Sequence, residues 1–132
     1  MAAARWAQHD VLQTYSTADL RVYAIWFNMY GGDARSKWPG TLLTDPRVTH
    51  YWDADRAVGT QYLANLPAFL ERRAEGTLVP AGDAMWDAFF LYERGSKWKD
   101  PVPVPMSWGY PIMVTREQLV ADLDRLIAGI RP

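Results

Sequence analysis

A chain of 132 residues, 49% hydrophobic and 22% charged, is long enough to bury one core and too short to supply two. A net charge of -1, with no acidic or basic tail, leaves no electrostatic footprint for nucleic acid. The absence of cysteine excludes thiol catalysis, disulfides and thiolate metal ligation.

The opening residues MAAARWAQHDVLQTY lack an apolar run of signal-peptide length, and no stretch is long enough to span a bilayer, so a soluble, cytoplasmic protein is expected. Residues 3–15 carry Trp6, Ala7, Val11 and Tyr15 at helical spacing. After a turn at 16–19, residues 21–30 (RVYAIWFNMY) are apolar on both alternating faces and predict a strand buried on both sides. Gly31-Gly32-Asp33 predicts a tight turn with Asp33 as the cap of a short helix ended by Pro39-Gly40. Thr44-Asp45-Pro46 is a turn, and residues 47–52 form a short strand. On that strand Val48, His50 and Trp52 share one face, and Arg47, Thr49 and Tyr51 the other. Asp53 is placed to cap the next helix, with Asp55 in its first turn. Its apolar face carries Val58, Tyr62, Leu66 and Phe69/Leu70, and Pro67 should kink or divide it.

A loop over 75–83 leads to a strand over 85–92, MWDAFFLY. The run PVPVPMSWGYP holds Pro101, Pro103, Pro105 and Pro111 and reads as a stiff, extended connector rather than a ligand for a proline-binding domain. A last short strand is expected at 112–114. Thr115 with Gln118 fits a capping box, followed by a helix striped with Leu119, Leu123, Leu126/Ile127 and Ile130. Helices alternating with strands in the first half imply parallel pairing, and the two late strands an antiparallel pair. The expected fold is therefore α/β: a single domain over 1–132 with a parallel first half, an antiparallel final strand pair and helices on both faces.

That order of elements resembles the thioredoxin-like fold over nearly the whole chain, by topology rather than by motif. The strings WFNMYGGDARSKW, LLTDPRVTHYWD and MWDAFFLYERGSKW resemble those of a poorly characterised group of bacterial thioredoxin-like proteins that lack the redox cysteines. The resemblance implies that the corner where redox relatives hold a thiolate is here Tyr30-Gly31-Gly32-Asp33-Ala34-Arg35, with the Asp33 carboxylate in its place. It also implies a cis proline before the final strand pair, for which Pro80 lies in the matching loop and Tyr110-Pro111 is a second candidate.

Candidate site residues follow from this placement. Asp33 and Arg35, with Asp53 and Arg56, fall at the carboxyl ends of adjacent parallel strands, the edge where open α/β sheets bind ligands. Asp87 lies on an apolar strand face, where an ionised carboxylate needs a partner. Each also has a structural reading: helix cap, ion pair or strand end. His50 and His9 are too few for a metal site of familiar type, and no cofactor motif is present. Trp26, Trp52 and Trp86 are expected in the core, and Trp38, Trp98 and Trp108, beside turns or prolines, partly exposed; Trp38 and Trp108 join Asp53 and Arg56 as candidates for ligand binding. Two readings follow. The first is a non-redox thioredoxin-like binding or interaction protein, a monomer or homodimer, taking a small molecule or a protein. The alternative is a small cofactor-independent acid–base enzyme, a hydrolase or isomerase, using Asp33 with Arg35, Asp53, Arg56 or Asp87.

Overall fold

The structure, a computed structural model, describes residues 2–27, 42–80, 82–98 and 101–129. The expected Gly31-Gly32 turn, the short helix after it, and Asp33, Arg35 and Trp38 lie outside the described residues. The chain divides into two compact units, Met1–Val58 and Gly59–Pro132.

The first unit opens with α1 (Ala2–Trp6), continued by a π-helical segment Ala7–Leu12 that buries Val11 and Leu12. This is the helix expected over 3–15. Strand β1 (Val22–Trp26) pairs in parallel with β2 (Val48–Trp52), Val22 opposite Val48 and Trp26 opposite Trp52. The parallel pairing and the side-chain alternation of β2 are as expected. The burial of β1 is not: Val22, Ala24 and Trp26 are half-buried, while Tyr23 and Ile25 are exposed. The exposed side is continued by Thr49 and Tyr51 on β2, so one face of this sheet is open among the described residues. Apolarity alone does not separate two covered faces from one, because Tyr tolerates water at its hydroxyl end.

Helix α2 (Ala57–Asn65) ends where Leu66 and Pro67 begin a 3-10 segment, Leu66–Arg72, broken at Phe69 (φ -136°). Pro67 thus divides the helix as expected. In the second unit Tyr62, Leu66 and Phe69 are buried, and Leu70 is exposed. Asp55 precedes α2 rather than entering its first turn.

Several expectations for this unit are corrected. Strand β3 is Phe89–Leu91, shorter than 85–92, because Asp87 adopts a left-handed φ of 49° that interrupts extended backbone. The last strand is not 112–114 but β4, Ser107–Gly109, antiparallel to β3 with Phe90 opposite Trp108. Ile112 instead begins α3 (Ile112–Ile127), with Pro111 at the N-cap, so Thr115 caps nothing. Its Oγ1 donates back to the Pro111 carbonyl at 2.8 Å, and Gln118 bonds to Asp122 instead of closing a capping box. The cis peptide bond is Tyr110–Pro111, not the one before Pro80.

The core of this unit is aromatic. Tyr62 stacks on Phe90 at 3.9 Å between centroids, and Phe69 meets Phe90 and Trp108 edge-on. Trp108 is 1% exposed and donates its indole N–H to the Phe69 carbonyl at 2.8 Å, correcting its expected partial exposure. Trp98 is exposed as expected. The proline run acts as a connector: Val102 and Pro105 are buried, and the Pro103 carbonyl accepts the Tyr92 hydroxyl.

Candidate functional site

The busiest part of the sequence, 45–59, is largely spent on holding the first unit together. Asp45 and Arg47 form an ion pair at 2.8 Å across the turn into β2. Every N–H of the Arg47 guanidinium is used: Nε and Nη2 reach the two Asp45 carboxylate oxygens, Nη2 also reaches the Leu12 carbonyl, and Nη1 reaches those of Tyr15 and Ala18. The carbonyls belong to the end of the first helix and the turn after it; those of Tyr15 and Ala18 also accept the Ala18 and Leu20 amides, so Arg47 adds a second donor to each. The hydrogen bond from Arg47 holds the Asp45 carboxyl at about 2, below its ordinary 3.8, and raises the Arg47 guanidinium in turn.

His50 is also committed. Trp26 Nε1–H can only donate, so the His50 Nδ1 at 3.0 Å is its acceptor and the ring hydrogen sits on Nε2, which donates to the Leu43 carbonyl at 3.0 Å. The two rings lie nearly parallel, 11° apart.

Asp53 caps α2 as expected. Its carboxylate accepts the Ala57 and Val58 amides at 2.9 and 2.8 Å, an arrangement that contributes about 0.5–2 kcal/mol. Arg56 sits in the intervening turn with a left-handed φ of 56°, its amide on the Asp53 carbonyl. Asp87 belongs to the second unit. It is half-buried just before β3, and burial raises its carboxyl above the ordinary carboxylate range, with a hydrogen bond from the Ile112 backbone acting the other way. The Asp87 backbone carbonyl accepts the Ile112 amide at 2.9 Å, satisfying an orphan donor of the α3 N-terminus. Within neither unit are described candidate acids brought together, and no group of three His, Asp or Glu among the described residues is arranged to hold a metal. Trp108, a candidate for ligand binding, is enclosed by its own core.

The sequence reading passed over the open face of β1–β2. Tyr23 and Tyr51 are 58% and 50% exposed, with ring centroids 6.3 Å apart and planes tilted by 30°. At the start of the strands the face borders an open groove of about 380 Å³, lined by Asp19, Arg21, Tyr23, Pro46, Arg47 and Thr49. Arg21, exposed, makes no hydrogen bond or ion pair with the described residues. The signal was present in part: Tyr23 on β1 and Thr49 and Tyr51 on β2 stand at alternate positions and are polar or amphipathic, with the apolar Ile25 on the same face and Arg21 and Arg47 one residue before each strand.

Comparison with protein-family models, curated proteins and solved structures gives no match. No helix among the described residues is long and apolar enough to cross a membrane.

Proposed function

We propose that the chain is a non-redox, thioredoxin-like binding protein that takes a small molecule or a protein partner on the open face of the β1–β2 sheet. The observation that carries this reading is the exposed Tyr23–Tyr51 pair beside the groove. Aromatic side chains with one wet end supply contact area at low conformational cost, which is why they mark binding surfaces. The polar groups nearest in the fold support it, because Asp45, Arg47, His50 and Asp53 are engaged in structural bonds. The thioredoxin-like part of the reading rests on the order of elements, since the parallel and the antiparallel pair are separate two-stranded sheets among the described residues.

The test is native mass spectrometry on gently purified native chain and on a Tyr23→Ala/Tyr51→Ala double variant. Both side chains are exposed, so the variant is expected to keep the native circular dichroism and melting temperature and to lose the bound molecule or partner that the native chain carries. Full retention by a folded double variant would place the binding surface elsewhere.

A second reading, the acid–base enzyme, is favoured by one observation: the raised Asp87 carboxyl, which suits a general acid. Under it, Asp87→Asn abolishes turnover without loss of fold. Asp53 is a weak member of that set, since its carboxylate is the α2 cap.

A further inference from the structure

We infer that the groove at the start of the β1–β2 sheet binds a small planar aromatic monoanion, a carboxylate carried on a ring, with Arg21 taking the carboxylate and Tyr23 the ring. This rests on the reading of that face as a binding surface and names the chemistry of its ligand.

The two arginines lining the groove differ in what they have left to offer. Arg47 has no donor free, and its charge is balanced by Asp45 at 2.8 Å. Arg21 is exposed, and its guanidinium is bonded to nothing described. A guanidinium presents its donors as a planar fork that matches the two oxygens of a carboxylate. Only one of the two guanidinium groups in the lining has donors to give, so it matches one carboxylate, one fork to one pair of oxygens. Tyr23 on β1 and Arg21, which precedes the strand, both line the groove, and the rings of Tyr23 and Tyr51 lie open, 6.3 Å apart. A flat ring on Tyr23 with its carboxylate toward Arg21 uses both features at once. The groove, about 380 Å³, falls in the size range of roughly 300–1,000 Å³ typical of small-molecule sites.

The experiment is amide chemical-shift mapping on the full chain with three probes: 2-naphthoate, the neutral 2-naphthamide, and acetate. We expect 2-naphthoate to shift the amides of residues 19–23 and 47–51 saturably, and each of the other two probes to bind there at least about tenfold more weakly. Arg21→Gln, which removes no internal bond, should keep the native melting temperature and weaken 2-naphthoate by about tenfold or more, leaving 2-naphthamide unchanged. Tyr23→Ala should weaken both aromatic probes. Equal affinity for 2-naphthoate and 2-naphthamide at these residues would overturn the anion and leave the binding face standing. The same holds for unchanged 2-naphthoate affinity in Arg21→Gln. Absence of saturable shifts at 19–23 and 47–51 with every probe would overturn the inference outright. The binding face is then judged separately, by the Tyr23/Tyr51 double variant.

Discussion

Arg47 shows how one side chain can stand in for a stretch of secondary structure. Its donors close the end of the first helix and the turn into β2, so the pair with Asp45 is part of the scaffold. The Asp45 carboxyl titrates at about 2 in the fold and near 3.8 when unpaired. A depressed acid contributes stability above its unfolded value and loses it as pH falls through its folded one. The stability difference between the native chain and Asp45→Asn, from urea unfolding, should therefore be constant above about pH 4 and shrink as the pH approaches about 2. Asp87 has the opposite sign. Burial raises its carboxyl, so the unfolded chain releases that proton first and stability falls as pH rises beyond the ordinary 3.8. Asparagine accepts the left-handed backbone at this position. Asp87→Asn should thus match the native chain in acid and become the more stable of the two as pH rises through that window. A variant whose advantage shrinks as pH rises would contradict the assignment.

At the scale of elements, α3 illustrates why a short β-favouring string can lose. Ile112-Met113-Val114 has strand propensity, yet Ile112, Thr115, Leu119, Asp122 and Leu123 continue one helical stripe back to Pro111, and proline suits a helix start. Once α3 begins at Ile112, Thr115 turns toward β4, and that approach needs a residue without a side chain. A Cβ on Gly109 would fall on Thr115 Oγ1 and within 2.5 Å of the Phe89 ring. Gly109→Ala should destabilise by roughly 1–3 kcal/mol, the cost of overpacking, as read from the urea midpoint at unchanged slope. Gly59 has a similar place in α2, where a Cβ would lie 2.7 Å from the Met85 carbonyl.

At the scale of the whole molecule, the aromatic residues that pack together and those that stand exposed on the β1–β2 sheet are different ones. Tyr62, Phe69, Phe90 and Trp108 form a packed cluster, and Trp108 is the member that also satisfies a buried carbonyl. Trp108→Ala should cost about 3–5 kcal/mol, and Trp108→Phe less, since it keeps a ring and gives up only the indole and its N–H. Denaturant titrations of the two variants check the order. Tyr23 and Tyr51 are exposed, and their loss is expected to be felt in binding and not in stability.

The sequence by itself determined the elements whose signals are local: the first helix, β2 with its alternation, the Asp53 cap, the break at Pro67 and the exclusion of thiol chemistry. Turn residues, caps and prolines act over a few residues, so they can be read without knowing what packs against them. Tertiary structure decided what depends on partners far along the chain. That Trp108 is core and Tyr23 surface, that Asp45 and Arg47 serve the end of the first helix, and that Asp87 serves the α3 N-terminus could not be read locally. Burial and hydrogen-bond satisfaction belong to pairs 30 or so residues apart, such as Arg47 with Tyr15 and Trp108 with Phe69, and no window of sequence contains both members.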